Sequence, residues 1–460
     1  MDYRRFQSDS LLECYRLEYE QLKIVTPNIP ITTNLMGTYP ELDYFKWAKY
    51  MDIVSWDNYP SMDTPLSFTS MSHDLMRGLK SGQPFMLMEQ TPSQQNWQAY
   101  NGLKRPGVMR LWSYQAVAHG ADTVMFFQLR RSIGACEKYH GAVIEHVGHE
   151  HTRVFRECAE LGKELQLLGD QVMNSRARNR VAIIFDWDNR WALELSSGPS
   201  VALNYVDEVH KYYDALYQLN IGTDIVSVDE DLTAYDVVIA PVMYMVKPGF
   251  AKRIEEFVGN GGTFVSTFFS GIVNENDLVT LGGYPGELRN VLGIWAEEID
   301  ALYPGQSNHI RMTEEVGSLH GSYSCGILCD IIHAEHAEVL AEYGDDFYRG
   351  TPVLTRNHYG QGKAYYVASS PEQAFLQGLL EQLCTEQGIQ PLLHTPSGVE
   401  VSERVKGDKS YLFILNHNED ERSFDIGATP NRELLTGRFI SNEVHLAGRD
   451  VLILERSSFV

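Results

Sequence analysis

The chain has 460 residues, of which 43% are hydrophobic, 22% charged and 11% aromatic. That composition excludes disordered, collagenous and coiled-coil classes and, at about 150 residues each, suggests three domains. Its 38 Lys and Arg against 61 Asp and Glu give a formal charge of −23, a field that repels phosphate backbones and anionic lipid. Neither nucleic acid nor a membrane surface is therefore an expected partner.

Strand-like and helix-like segments alternate through residues 1–165. Phe6 to Ile24 reads as a helix, with Leu11, Leu12, Tyr15, Leu17, Tyr19 and Leu22 apolar and no Gly or Pro. Ile29 to Met36 is expected as a strand, Leu42 to Met51 as a helix, and Ile53 to Trp56 as a second strand running into Asp57-Asn58-Tyr59-Pro60. A helix over Phe68 to Leu79 precedes the strand Phe85 to Glu89; another over Pro106 to His119 precedes the strand Thr123 to Phe127. Strands alternating with helices imply parallel βα units. Polar and aromatic residues collect just after each strand, where a (β/α)8 barrel carries its chemistry. Four such units are present and eight close a barrel. Val154, Phe155, Cys158, Leu161, Leu165 and Leu168 have the spacing of one further packing helix.

The pattern restarts near residue 178. Strands are expected at Val181 to Phe185, Asp224 to Val228, Val237 to Pro241 and Thr263 to Phe269, with helices at Val201 to Leu219 and Lys252 to Val258. This is an open, doubly wound α/β arrangement. A hairpin over Pro352 to Ala368, turned at Gly360-Gln361-Gly362, and a helix near Gln373 to Gln387 complete it. Beyond Pro391, Val399 to Val405, Ser410 to Leu415, Arg422 to Asp425 and Asp450 to Glu455 alternate with turn residues, as in a small antiparallel β domain. The expected domains are thus 1–170, 178–390 and 395–460.

Six scattered cysteines suit reduced thiols better than a disulfide framework. The start, Met1 to Gln7, lacks the apolar core of a signal peptide, and the longest apolar run, Val237 to Val246, is half a membrane span. A cytoplasmic chain is expected. Cys325 and Cys329 have no second pair at zinc-ribbon spacing. His146, His149, Glu150 and His151 have metal-like spacing but lack an outlying carboxylate. Neither a metal nor a cofactor is expected. Gly259-x-Gly261-Gly262 lies between helix and strand, the wrong order for a phosphate loop.

Glu89 ends an apolar strand, where a carboxylate can serve as nucleophile or acid/base. Alone it reads as an ordinary surface residue at a strand end. Trp56, Tyr59, Trp97 and Trp112 nearby, interleaved with carboxylates and amides, suit sugars, which have apolar C–H faces and hydroxyl edges. Glu137-Lys138-Tyr139-His140 falls in the loop after the fourth strand, where a barrel places substrate contacts.

These motifs resemble the β-galactosidases of glycoside hydrolase family 42. The resemblance is carried by Asp52 to Pro60, Met86 to Ser93 with Trp97, Glu137 to Gly141, Asp2 to Phe6 and Thr32 to Gly37. It implies a retaining enzyme in which two carboxyl groups about 5–5.5 Å apart act as nucleophile and acid/base. Glu89 falls on the nucleophile motif, Trp97 on the sugar-stacking Trp, Glu137 and His140 on the pair that binds galactose hydroxyls, and Tyr59 on the Tyr beside the nucleophile. Phe127 is implied to line the same pocket. A β-galactoside or galacto-oligosaccharide is the implied substrate and a homotrimer the implied assembly. The second domain resembles the family's trimerisation domain, which is glutamine-amidotransferase-like (flavodoxin-like). It lacks an amidotransferase's cysteine nucleophile, since the strand ends Phe268-Phe269-Ser270-Gly271.

The family's acid/base Glu follows an Asn at the end of the fourth barrel strand. Here Asn-Glu pairs occur only at Asn274-Glu275, Asn418-Glu419 and Asn442-Glu443, all outside the barrel segment. The chain is therefore expected to hold barrel strands five to eight, to lack roughly the first third of a family member, and to be inactive alone for want of general acid assistance worth about 10²–10⁴-fold. The alternative expectation is a catalytically dead oligomerisation or sugar-binding remnant.

Overall fold

The computed structural model describes residues 1–457. By internal contact these form two units. One comprises Met1–Glu18, Pro40–Tyr44 and Asn179–Gln390; the other comprises Tyr19–Tyr39, Phe45–Arg178 and the chain from Pro391 onward.

The first segment runs α1 (Asp2–Val25), β1 (Asn34–Leu35), α2 (Tyr44–Ala48), β2 (Ser55–Asp57), α3 (Leu66–Gly78), β3 (Phe85–Glu89), α4 (Val108–Ala118), β4 (Ala121–Val124) and α5 (Arg153–Val172). The strands form one parallel sheet in the order β1-β2-β3-β4, so β1 and β4 are its edges. β1 is far shorter than expected. Residues before it are held by side chains instead of a ladder: Ile31 N donates to Asp52 Oδ2 (2.7 Å) and Thr32 Oγ1 to the Ile53 carbonyl (2.7 Å). β4 also starts and ends early. Phe127 lies beyond it, its N–H donating to the Gln90 carbonyl at 3.1 Å.

The middle segment contains β5 (Val181–Ile184), α6 (Trp187–Leu195), α7 (Tyr205–Gln218), β6 (Thr223–Val226), β7 (Val237–Ala240), α8 (Phe250–Gly259), β8 (Thr263–Thr267) and α9 (Arg289–Leu292). It continues with β9 (Ile294–Ala301), β10 (Asn308–Met312), β11 (Ser322–Ala334), β12 (Glu338–Tyr343), β13 (Pro352–Tyr359), β14 (Gly362–Val367), β15 (Ser369–Pro371) and α10 (Gln373–Glu386). All eleven strands share one mixed sheet, ordered β15-β11-β10-β12-β13-β14-β8-β7-β5-β6 with β9 on β11. From β14 to β6 it is parallel, as the βα alternation requires; the rest is antiparallel. α7 starts at Tyr205, later than expected, because Asn204 Oδ1 caps it by accepting from Val206 N (3.0 Å) and Asp207 N (3.3 Å). α6 and β9 to β12 lie outside the elements expected from the sequence.

The last segment holds β16 (Val399–Lys406), β17 (Lys409–Asn416), β18 (Arg422–Asp425), β19 (Asn431–Glu433), β20 (Phe439–Ile440), β21 (Glu443–Leu446) and β22 (Val451–Ser457). A five-stranded antiparallel sheet, β16-β17-β22-β19-β20, accompanies the β18–β21 ladder. It shares a core with the four-stranded sheet's helices. Met109, Leu111, Tyr114 and Val117 of α4 pack with Leu161 and Leu168 of α5 and with Tyr411, Phe413, Leu415 and Ile453 of the β domain. That two-sided contact is why nearly every α4 residue is buried. No helix among the described residues is long and apolar enough to cross a membrane.

Candidate active site

The carboxyl ends of β2 and β3 meet in register, Asp57 opposite Glu89, after a bulge at Trp56/Asp57. The Asn58 N–H donates to the Glu89 carbonyl at 2.9 Å. One alternation further, Tyr59 points its phenol at the carboxylate, Oη to Glu89 Oε2 at 2.8 Å. Burial, then the bond to Glu89 and its charge, pushes the Tyr59 phenol far above its ordinary range, so the phenol remains a proton donor.

His140 is buried and touches both aromatic neighbours edge-on, Tyr59 at 5.4 Å and Phe127 at 5.3 Å between ring centroids. The Asn96 N–H points at His140 Nδ1 (3.3 Å), so Nδ1 accepts; Nε2 therefore carries the hydrogen and donates to the Phe127 carbonyl at 3.1 Å. Burial lowers its pKa further, which favours this neutral tautomer. Both ring nitrogens are thus engaged by main chain, and a ligand hydroxyl would compete with the longer Asn96 contact. Glu137 is half-buried, and its charge acts on both Tyr59 and His140. Trp97 is 70% exposed on a left-handed backbone (φ 67°). Its loop is clamped to the 136–141 loop: Asn96 Nδ2 donates to the Cys136 carbonyl (2.6 Å) and Gly141 N to the Gln94 carbonyl (2.8 Å). A Cβ on Gly141 would sit 2.9 Å from that carbonyl oxygen, so only glycine permits the approach.

The structure thus brings Tyr59, Glu89, Phe127, Glu137 and His140 together and leaves Trp97 facing solvent beside them. Trp56 and Trp112 are not rim residues; both are buried, Trp56 edge-on to His73 at 4.9 Å. The histidines at 146, 149 and 151 do not converge: His146 Nε2 bonds the Ser132 carbonyl (2.8 Å), and no group of three or more His, Cys, Asp or Glu among the described residues could hold a metal.

Sequence reasoning does not single out Asp57 as a site residue. Asn34 Nδ2 donates to its Oδ2 (2.6 Å), while Oδ1 is buried with no hydrogen-bond partner among the described residues. Burial, opposed by Asn34 and reinforced by the charge of Glu89, pushes it up to about 7. Its spacing from Tyr59, i and i+2 along an extended chain, is the available signal.

Three family models match the chain in order: β-galactosidase over residues 1–168, the β-galactosidase trimerisation domain over 179–390 and the β-galactosidase C-terminal domain over 398–456. The β-galactosidase BgaP of Planococcus sp. (strain L4) is 67% identical over 456 residues, covering 99% of this chain and 68% of BgaP. The chain belongs to the glycoside hydrolase family 42 β-galactosidases. A second relative of this enzyme family, the β-galactosidase LacZ of Lactobacillus acidophilus, is 45% identical over 99% of this chain and 67% of its own. The crystal structure of the β-galactosidase from Bacillus circulans sp. alkalophilus superposes with a TM-score of 0.98 at 75% identity, covering 99% of this chain and 68% of that one. The family's fold is accordingly α/β at the start, sheet-rich in the middle and small antiparallel β at the end. The match over 1–168 spans every site residue from Tyr59 to His140.

Proposed function

We propose that this chain carries the nucleophile side of a retaining β-galactosidase site, acting on terminal non-reducing β-D-galactosyl groups. The observation that carries the reading is the Tyr59–Glu89 hydrogen bond at the carboxyl ends of two parallel strands. A Glu89 carboxylate oxygen attacks the anomeric carbon, the bond to the leaving oxygen breaks with its electron pair, and a glycosyl-enzyme forms. Tyr59 orients the carboxylate, Trp97 stacks on the sugar face, Phe127 lines the pocket, and Glu137 and His140 meet hydroxyls. In this reading residues 1–170 are strands five to eight of an eight-stranded barrel, 178–390 a flavodoxin-like trimerisation domain and 395–460 the small β domain, in a homotrimer of the cytoplasm. The match to a trimerisation domain and six free thiols support those last two assignments.

The second carboxyl group has no assignment in this chain. Asp57 faces Glu89 across the strands, but one of its oxygens is enclosed and the other accepts from Asn34. Substrates with poor leaving groups therefore need an acid from outside these residues. The test is labelling with 2,4-dinitrophenyl 2-deoxy-2-fluoro-β-D-galactoside, whose leaving group requires no proton. Intact mass should rise by one fluorogalactosyl group, on the peptide holding Glu89 and not in Glu89→Gln, while lactose stays unhydrolysed. A label on another carboxylate, or lactose turnover by the purified chain, would refute the assignment. No label at all would favour the dead-remnant reading.

A further inference from the structure

Behind the Tyr59 main chain lies a cleft of about 410 Å³, walled by residues 60–63, which follow Tyr59, and residues 93–104, which follow Glu89. Gln95 ties the two walls, its Nε2 donating to the Tyr59 carbonyl at 2.9 Å. Lys104 is in its lining and only 3% exposed. Its ammonium donates to the Thr91 carbonyl (2.5 Å) and lies 4.8 Å over the Trp112 ring, and no carboxylate among the described residues pairs with it. A buried cation without a counter-ion is costly, and burial pushes this amine down to about 7. A lysine kept only for packing would cost less as an apolar residue of similar length; at a cleft wall its spare N–H groups can serve a ligand.

We propose that this cleft is a second carbohydrate pocket, taking one hexosyl unit of a neutral galacto-oligosaccharide, separate from the Tyr59–Glu89 pair. Its lining offers donors (Lys104, the Gln98 amide), acceptors (Asp63, the Gln98 carbonyl) and two apolar surfaces, Met62 and the 91% exposed Tyr100. A ligand that fills the cleft must both donate and accept and also present an apolar face. Vicinal hydroxyls on a pyranose do both, with the ring's C–H face against Tyr100. An anion would satisfy Lys104 but would meet Asp63 and the overall charge of −23. The volume lies within the roughly 300–1,000 Å³ range of small-ligand pockets. The choice of galactosyl units rests on the proposed function.

The experiment is calorimetric titration of the whole chain with β-1,4-galactotriose, for wild type, Tyr100→Ala, Lys104→Met and Glu89→Gln. The expected result is saturable binding that Glu89→Gln retains and that Tyr100→Ala and Lys104→Met each weaken at least about tenfold. Wild-type affinity in both Tyr100→Ala and Lys104→Met, or no saturable binding by the wild type, would overturn the proposal. Should Lys104→Met fail to fold, Tyr100→Ala decides, since that side chain is almost wholly in solvent. Fluorosugar labelling reads Glu89 and Tyr100-dependent binding reads the cleft, so either can fail without the other.

Discussion

Replacing Glu400 by Gln should destabilise the unit that holds the four-stranded sheet and the small β domain by about 3–5 kcal/mol, the range for one partner lost from a buried charge network. Glu400, on β16, is 2% exposed. Its Oε1 accepts from Ser70 Oγ (2.6 Å) and His119 Nε2 (2.7 Å), and its Oε2 from Gln115 Nε2 (3.0 Å) and His417 Nε2 (2.6 Å). Asp74 holds the other face of His119, Oδ1 to Nδ1 at 2.7 Å. An amide in place of this carboxylate would turn N–H groups toward these donors and leave His119 short of a counter-charge. Burial alone would lower His119, but Asp74 and Glu400 override it and push it up to about 9. The folded value exceeds the unfolded one, so the stabilisation is complete below about pH 6.5 and is lost as pH rises through 9. A shift of this size corresponds to roughly 3 kcal/mol. Urea unfolding followed by tryptophan fluorescence, from pH 6 to 10, measures both effects, with the exposed Glu421→Gln as control. A Glu400→Gln loss below about 1 kcal/mol, or a wild-type stability flat through pH 9, would refute the network's role.

Three further outcomes follow from the same chemistry. Tyr59→Phe removes the hydroxyl 2.8 Å from Glu89, and fluorosugar labelling should slow roughly tenfold to a hundredfold, as expected for a hydrogen bond to a charged group; an unchanged rate would detach Tyr59 from the nucleophile. Asp57, pushed up to about 7, stabilises the fold most when protonated, so stability falls as pH rises from about 4 through 7. Asp57→Asn should therefore melt higher than wild type at pH 8 and equally at pH 4; a lower melting temperature at pH 8 would count against an enclosed, unpaired carboxylate. His73 is fully buried, has no hydrogen-bond partner at either ring nitrogen among the described residues, and is pushed down to about 3 by burial and by His119. His73→Phe, stacking on Phe85 in its place, should add about 1–3 kcal/mol in urea unfolding, and a destabilised variant would reveal a bond the imidazole makes.

Much of the element order is legible in the sequence. β3 is legible to the residue because an apolar run ends abruptly in Glu89, and the β13–β14 hairpin because Gly360-Gln361-Gly362 interrupts two alternating runs. β9 to β12 are not, since strands such as Asn308–Met312 and Glu338–Tyr343 are short and carry charges at half-buried or exposed positions. Their pairing with distant neighbours supplies the order that their own composition lacks. Tyr59, Glu89 and His140 are visible as local motifs. Asp57 and Lys104 are not, because what distinguishes them is the loss of water.

Local sequence is enough to set which segments are strands and helices in the βα run, to place a carboxylate and a phenol just after two successive strands, and to mark the family the chain resembles. Those properties depend on side-chain period and motif spacing over a few residues. Which polar groups are enclosed, and by whom, is settled by long-range packing alone. Glu400 meets Ser70 from 330 residues away and His119 from 281, and Trp56 turns inward against His73 instead of lining a sugar site. A charge's cost and its pKa depend on the solvent it has lost and the partners that replace it, and both are supplied by chain far off in sequence.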